Sequence, residues 1–331
     1  MKKWSILVFV IFLALTFGVN RLVNCQAAEK ENIKKDMELS IGISLSSLDK
    51  DGMLSVKNEL LQQSKGTKIQ LLNSNSSCTT QRDDIKELVR SGINVLVVDV
   101  VDDSSKEVKE ALNFAIANEV KVIFMDSKVK GYEDRTSFVG FNDYASGAAV
   151  INKVISDFHK KGVEENINVI VLKENENSDV KSFAKGISEN GSSSVCVLDE
   201  YVLESMEETD VSDTLENAMS SSGKIDVVIC SNDYIADLCD KVASRNELSI
   251  SVTGQDADLA ACSRIMKDRQ LCTVYKPYDN LAREVLRICS NLYHNKSNES
   301  ISIDTVMVDG HNMFPVIVGS QFHQAKDIFA Y

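Results

Sequence analysis

The sequence predicts an α/β protein with two doubly wound parallel-sheet lobes, joined by a short multi-strand hinge. Short apolar segments alternate with amphipathic helical segments, and this pattern starts again at Ile167. The chain of 331 residues, 44% of them hydrophobic, is also longer than one small core requires. No long Gly/Pro/Ser segment interrupts its middle, so we expect short crossovers between the lobes.

The first lobe is predicted over residues 39–162. Each predicted strand is a short apolar segment and each helix is an amphipathic segment, as βαβ units require. The strands are Leu39–Leu45, Lys68–Asn73, Ile93–Val100, Val120–Met125 and Ser137–Phe141, and the helices are Met53–Ser64, Thr80–Ser91, Ser105–Glu119 and Tyr144–Lys161.

The second lobe is predicted over residues 163–308, and residues 309–331 are expected to return across the hinge and end the chain. The cleft between two such lobes is the expected ligand site. The strands of this lobe are predicted at Ile167–Leu172, Val195–Leu198, Ile225–Cys230, Leu248–Val252, Cys272–Tyr275 and Thr305–Val308.

The pattern of the N-terminal residues predicts a targeting segment. Lys2 and Lys3 precede a charge-free apolar segment, so residues 1–28 are expected to be an export signal or a membrane anchor, with residues 29–38 as a spacer. Three outcomes stay open: cleavage near Ala28, lipidation of Cys25, or retention of Trp4–Val23, which has about the length that a bilayer requires. We expect an exported protein on the outer face of the cytoplasmic membrane, anchored by the helix or the lipid.

Composition and motifs exclude several classes of function. A net charge of −13 argues against a nucleic-acid partner. The sequence contains no phosphate-binding glycine motif, no zinc-protease motif and no hydrolase nucleophile motif. Its four histidines have no metal-ligand spacing, and its cysteines form no C-x-x-C pair. We therefore expect a binding protein without catalytic residues, metal or cofactor.

Two neighbouring segments carry the strongest functional signal. Gln255 and Asp256 follow one apolar strand and Lys276 follows another, so all three are predicted at strand ends, where open α/β sheets bind ligands. A carboxylate beside an ammonium suits a polyhydroxylated molecule, because each hydroxyl both donates and accepts. Asp256 has a structural alternative as the N-cap of a helix over Ala257–Asp268.

These segments closely resemble the C-terminal lobe of bacterial periplasmic xylose-binding proteins. Further similar segments, beginning with Ile41–Ser44, extend the resemblance over nearly all of Leu39–Val318. The resemblance implies that Asp126 binds sugar, although Ser127 stands where the family has arginine. Tyr201 lines up with a stacking tryptophan and is either the sugar platform or a core tyrosine. The full set implied for the sugar is Asp126, Asn142, Asp143, Tyr201, Asn232, Asp256 and Lys276.

The resemblance implies non-catalytic binding of a monosaccharide, D-xylose in particular, by closure of the two lobes. Two partners are implied as alternatives. One is a membrane sensor histidine kinase of the LytS type, as for the membrane-anchored clostridial xylose-sensing paralogues. The other is the permease of an ABC importer. A homodimer is left open.

Overall fold

The computed structural model describes residues 38–48, 52–64 and 67–317. The predictions for residues 1–28, including Cys25, for residues 29–37 of the spacer and for the chain beyond residue 317 lie outside this part. Within the three described ranges, no helix combines the length and the apolarity needed to cross a membrane.

The first sheet is fully parallel. Its strands are β1 (Ser40–Leu45), β2 (Lys68–Asn73), β3 (Val95–Asp99), β4 (Lys121–Met125), β5 (Thr136–Phe141) and the late strand β11 (Ser300–Ile303), in the order β11-β5-β4-β3-β1-β2. Strands β1 and β3 are buried along their whole length, as expected when helices cover both faces of a sheet.

Four helices cover this sheet. Leu96 and Val98 of β3 pack into a core with α2 (Cys78–Arg90) and α3 (Lys106–Ala117). On the other side, α9 (Tyr278–Tyr293) packs against α1 (Met53–Gln63) and against β3, β4 and β5. Alternate residues of each strand therefore enter separate cores, which follows from the two-residue period of a strand.

The second sheet has the parallel order β7-β6-β8-β9. Its strands are β6 (Ile167–Lys173), β7 (Val195–Val202), β8 (Val227–Cys230) and β9 (Ser251–Thr253). A parallel bridge between Thr253 and Cys272 places β10 (Thr273–Tyr275) next to β9, and β10 pairs antiparallel with β12 (Val306–Val308). All the strands of this sheet and its extension fall at or near predicted positions.

Two helix pairs enclose the second sheet. On one face, α4 (Asp143–Lys160) and α5 (Ser178–Asn190) share a core with Val169 and Val171 of β6. On the other face, α6 (Glu208–Ser222) and α7 (Asp233–Arg245) pack with Ile170 and Leu172. The short helix α8 (Leu259–Met266) follows β9 and contacts α7.

The chain returns to the first sheet earlier than predicted. Helix α9 packs on the first sheet and β11 pairs with β5, so residues 278–303 leave the second lobe before the predicted return at residue 309. Strand β11 reads Ser300-Ile301-Ser302-Ile303 and lies at a sheet edge, with alternating exposed and half-buried residues. So short an amphipathic segment carries little apolar signal, which is why the sequence did not indicate it.

Candidate monosaccharide-binding site

A small cavity of about 20 Å³ lies where residues following the carboxyl ends of strands from both sheets converge. Asp143 follows β5 of the first sheet, whereas Asp256 follows β9 and Lys276 follows β10. Asp256 and Lys276 are the strand-end residues that the sequence singled out, and Asp143 is one that the resemblance implied. The lining residues are Asp143, Glu174, Asp179, Val180, Ser231, Asn232, Gln255, Asp256, Lys276 and Tyr278.

Lys276 is the central cation of this cavity. Its side chain is 9% exposed, its Nζ lies 3.5 Å from Asp143 Oδ1, and it stands 5.5 Å from the centre of the Phe141 ring. Burial lowers the pKa of Lys276, but the carboxylates of Asp143, Asp126, Asp256 and Asp179 outweigh it and raise the pKa above its ordinary value. The ammonium is thus held charged, as a fixed hydrogen-bond donor.

Asp256 lies in an unusual backbone conformation just after β9. Its φ is 98° and that of Ala257 is 55°, both in the left-handed region that non-glycine residues seldom adopt. The Asp256 N–H donates to the Val274 carbonyl at 2.7 Å, and the Tyr278 hydroxyl donates to Asp256 Oδ1 at 2.9 Å. Such strain persists where the surroundings fix the backbone, often at ligand sites.

The alternative role of Asp256 as a helix cap is wrong. Helix α8 begins at Leu259, two residues later than the predicted helix, and its N-cap is Asp258, whose carboxylate accepts from the Ala261 N–H. Asp256 therefore does not cap α8, and it lines the cavity instead.

A buried network behind the cavity holds the loop that carries Asp256. The Asp233 carboxylate accepts from Gln270 Nε2 at 2.9 Å and from Thr273 Oγ1 at 2.7 Å, and also from the N–H of Asp258 at 3.1 Å. Burial raises the pKa of Asp233 well above its ordinary value, and the negative charge of Asp256 raises it further. A Cβ on Gly254 would lie 2.1 Å from Asp233 Oδ1, so glycine is required for this approach.

Gln255 presents a buried acceptor at the cavity. The side chain is 2% exposed, and its Nε2 donates to the Ser231 carbonyl at 2.9 Å. Its Oε1 accepts no hydrogen bond from any residue in the described ranges. Buried polar atoms are nearly always paired, so a ligand hydroxyl that donates to Oε1 would complete this group.

Asn232 joins two of the strand ends. Its Oδ1 accepts from the Ile235 N–H at 2.8 Å and caps α7, while its Nδ2 donates to Glu174 Oε2 at 2.6 Å. Its side-chain amide therefore caps a helix and also binds a residue that lines the cavity.

Three predicted site residues lie outside the cavity lining. Asn142 is the N-cap of α4, where its Oδ1 accepts from the Ala145 N–H at 3.3 Å. Tyr201 lies on the edge strand β7, half-buried against the core of the second lobe, which fits its alternative role as a core tyrosine. Asp126 is buried, with a φ of 68°, and acts on Lys276 through its charge.

The prediction missed Glu174, Asp179 and Tyr278. Glu174 directly follows β6, so its strand-end position was a usable signal. Asp179 and Tyr278 lie in the first turns of α5 and α9, and only the packing of the lobes brings them to the cavity.

A wider cleft of about 590 Å³ adjoins the cavity. Both spaces are bordered by Glu174 and Asn232. The cleft is also lined by residues from the first lobe, among them Ser46, Ser47, Ser76, Val100 and Val101. In the described part of the chain, no group of three or more His, Cys, Asp or Glu side chains is arranged to hold a metal ion.

Comparison of sequences connects this architecture with known proteins. A family model described as a periplasmic binding protein domain matches residues 41–297. The D-xylose-binding periplasmic protein of Haemophilus influenzae is 24% identical over 319 residues, which cover 88% of this chain and 92% of that protein. The protein of the same name from Escherichia coli is 24% identical over 305 residues, covering 89% and 88%.

Solved structures share the fold. The Caulobacter myo-inositol binding protein, bound to myo-inositol, superposes with a TM-score of 0.73 at 21% identity and covers 84% of this chain and 95% of its own. The fructose-binding periplasmic domain of a hybrid two-component system gives a TM-score of 0.76 at 18% identity, covering 88% and 97%. The two parallel sheets, the matching solved folds and a family model that spans most of the chain lead to one conclusion: the chain belongs to the periplasmic binding protein family, with the type I fold, and is a binding protein rather than an enzyme.

Proposed function

We propose that this protein binds a monosaccharide, D-xylose or a closely related aldose, outside the cytoplasmic membrane and signals occupancy to a membrane sensor histidine kinase of the LytS type. The observation that carries the proposal is the convergence of Asp143, Asp256 and Lys276 on one cavity. The names of the two D-xylose-binding relatives support the choice of sugar.

The lining suits hydroxyl groups. Carboxylates accept hydrogen bonds and Lys276 donates them, so a sugar hydroxyl, which does both, can bond to either kind of neighbour. The charged partners make these hydrogen bonds stronger than neutral ones. Gln255 Oε1 adds a neutral acceptor that a ligand hydroxyl would satisfy.

Lobe closure is the proposed signal. Asp143 lies at the crossover from β5 of the first sheet to α4, which covers the second sheet, whereas Asp256 follows β9 and Lys276 follows β10. A sugar that bonds to these groups and also to first-lobe residues of the adjoining cleft, such as Ser46 and Ser47, favours the closed arrangement, because that arrangement offers both sets of contacts.

Calorimetric titration of the full chain with pentoses and hexoses tests sugar binding. We expect one site, the highest affinity for D-xylose and no chemical change in the recovered sugar. No heat with any sugar would refute the proposal. Intrinsic tryptophan fluorescence is unsuitable, because the sole tryptophan is Trp4.

The alternative output is delivery to the permease of an ABC importer. The ribose import binding protein RbsB of Bacillus subtilis favours this alternative by its name, at 24% identity over 157 residues, which cover 45% of this chain and 50% of that protein. Retention of Trp4–Val23 would favour signalling, because a fixed anchor raises the local concentration of the sugar-binding lobes beside a membrane partner.

Membrane extraction of the full chain separates the two outputs. If the anchor is retained, the protein resists alkaline extraction and Cys25→Ser leaves its membrane association unchanged. A lipid-anchored protein would fail to mature in that variant. A soluble form beginning near Ala28 as the main species would favour the importer.

A further inference from the structure

Tyr278 connects the cavity to the first lobe. It is the first residue of α9, the helix that packs on α1 and on strands β3, β4 and β5 of the first sheet. Its hydroxyl donates to Asp256 Oδ1 at 2.9 Å, and Asp256 follows β9 of the second sheet. This hydrogen bond therefore runs from a first-lobe helix to a carboxylate that is proposed to bind the sugar.

The ring of Tyr278 is held against Phe141. The two ring centres are 5.3 Å apart and the ring planes meet at 90°, the edge-to-face arrangement that aromatic pairs favour. Phe141 ends β5, is 3% exposed, and its ring centre lies 5.5 Å from Lys276 Nζ. The aromatic pair thus contacts both charged groups, with Lys276 beside one ring and Asp256 at the hydroxyl of the other.

The loop before α1 lies against the hydroxyl end of the same ring. Gly52, the N-cap of α1, has a φ of 76°, and a Cβ at this position would lie 2.0 Å from Cζ of Tyr278, the carbon that carries the hydroxyl. The loop can therefore contact the ring only because residue 52 is glycine. Since Phe141 holds the ring on another side, a larger residue at position 52 would move the hydroxyl relative to Asp256.

Asp256 needs such support because of its backbone. Its φ of 98° is unusual for a residue with a side chain, and strain of this kind persists only where neighbours fix the conformation. Ordering a side chain at the moment of binding costs free energy, so a carboxylate that is already oriented binds its ligand more tightly. The hydroxyl of Tyr278 supplies this orientation from the first lobe.

We propose that Tyr278 is a positioning residue for the sugar. It holds the Asp256 carboxylate in place through its hydroxyl, and its ring couples that carboxylate to the loop at Gly52. The first lobe then influences sugar affinity through a contact inside the protein, in addition to any contact with the sugar itself. This inference rests on the proposed sugar-binding function and extends it to a residue that acts through Asp256.

A double-mutant cycle tests the link between Tyr278 and Asp256, with calorimetry of D-xylose binding to the full chain. Tyr278→Phe keeps the ring and removes the hydroxyl. We expect it to weaken binding about threefold to tenfold in the wild-type background, but less than about twofold in Asp256→Ala, where no carboxylate remains to be positioned. Tyr132→Phe is the matched control, because it removes a hydroxyl that donates to Asn113 at 3.1 Å outside the cavity and cleft linings, and it should keep the wild-type affinity.

Gly52→Ala tests the contact with the first-lobe loop. It should weaken D-xylose binding at least about threefold in the wild-type background, and less than about twofold in Tyr278→Ala, in which the obstructing ring is absent. Gly92→Ala is the matched control. Gly92 has a similar φ of 85°, but a Cβ there would meet no atom within 4 Å, so the variant carries the backbone strain without the collision.

Three results would each overturn the inference: wild-type affinity in Tyr278→Phe, an equal loss from Tyr278→Phe with and without the Asp256 carboxylate, or an equal loss in Gly52→Ala and Gly92→Ala. Urea unfolding of each variant shows that it is folded, and the Tyr278→Phe cycle decides alone where Gly52→Ala does not fold. A wild-type protein that binds no sugar would overturn the proposed function as well. Normal wild-type binding with additive losses would overturn this inference alone.

Discussion

At the scale of single residues, Asp256 separates recognition from folding. Its backbone adopts a φ of 98°, its N–H donates to Val274, and helix capping is left to Asp258. The strained residue is thus fixed by its neighbours while its carboxylate lines the cavity. Removal of the carboxylate should therefore weaken sugar binding at Asp256 but not at Asp258, two positions later.

Asp256→Ala should weaken sugar binding by about 2 kcal/mol, or roughly 30-fold, because a charge-assisted hydrogen bond is lost. The variant should still fold, with a free energy of unfolding lowered by about 1 kcal/mol, because the hydrogen bond from the Tyr278 hydroxyl is lost. Asp258→Ala is the control, and it should lose about 1 kcal/mol of stability with the α8 cap while keeping its sugar affinity. Calorimetry and urea unfolding of both variants measure these changes. Unchanged affinity in a folded Asp256→Ala variant would contradict the assignment.

The sequence could indicate site residues only by a local feature, namely a position just after a predicted strand. Asp143, Asn232, Asp256 and Lys276 each follow a strand, and all four line the cavity. Tyr201 also lies near a strand end, but its strand is at the sheet edge, away from the cavity lining. Whether a strand lies at the edge or in the centre of a sheet depends on long-range strand pairing, and a local sequence pattern does not encode that pairing.

At the scale of elements, the close crossing of α4 and α5 holds the N-terminal ends of both helices, which carry Asp143 and Asp179, at the cavity. A Cβ on Gly147 would lie 2.0 Å from the Phe183 carbonyl oxygen, and one on Gly186 would lie 2.1 Å from that of Tyr144. Both obstacles are backbone atoms, so neither can move aside alone. Asp143, at the start of α4, depends on this contact for its place beside Lys276.

Gly147→Ala should therefore destabilise the protein by about 3 kcal/mol, at the upper end for an overpacked site, and should also weaken sugar binding. Gly310→Ala is the control, because a Cβ there would meet no atom within 4 Å. Thermal or urea unfolding compares the two variants. Equal stability of Gly147→Ala and the wild type would show that the two helices can separate at little cost.

Ion pairs connect α4 with the segment after β12. Lys153 Nζ lies 2.9 Å from both Asp157 and Asp309. Burial opposes ionisation of Asp309, but its hydrogen bonds with Lys153 and with backbone N–H groups outweigh burial and lower its pKa below the ordinary 3.8. An aspartate with a lowered pKa stabilises the fold above its unfolded pKa, and this contribution disappears as the pH falls through the folded value.

Asp309→Asn should consequently lower the free energy of unfolding by about 1 kcal/mol at pH 7, and the difference from the wild type should shrink as the pH falls below about 4. The exposed Asp304 supplies a control in Asp304→Asn, which should have little effect at either pH. Urea unfolding across this range provides the measurement. A difference that stays constant with pH would exclude the ionised Asp309 as its source.

Most elements could be predicted because they are long or strongly apolar. Strand β3 is buried throughout and was indicated by its apolar run, whereas the short edge strand β11 alternates serine with isoleucine. The sequence therefore also failed to show that the chain returns to the first sheet before residue 309. Only the pairing with β5 shows to which sheet Ser300–Ile303 belongs.

At the scale of the whole molecule, the two lobes contact each other through the loop after β6. Asn177 donates from its Nδ2 to the Val101 carbonyl at 3.2 Å and accepts at its Oδ1 from the Asp103 N–H at 3.1 Å. Ser178 accepts from the Lys128 N–H at 2.7 Å. These bonds join the segment at the start of α5 to loops of the first lobe, so they favour the arrangement in which both lobes face one ligand.

Asn177→Ala should weaken sugar binding about threefold to tenfold by lowering the population of closed molecules. The side chain makes no capping bond to α5, so the stability of each lobe should be unaffected. Calorimetry measures the affinity, and small-angle scattering should show a more open average shape for the variant. Wild-type affinity in this variant would mean that the contact does not influence closure.

The crystal structure of the full chain with D-xylose tests the central claim most directly. The account predicts one sugar across the cavity and the adjoining cleft, with ring hydroxyls within hydrogen-bonding distance of Asp256, Lys276 and Gln255 Oε1, and with contacts to Asp143 at the crossover between the lobes. A sugar bound elsewhere, or a cavity that stays free of it at saturating concentration, would contradict the account.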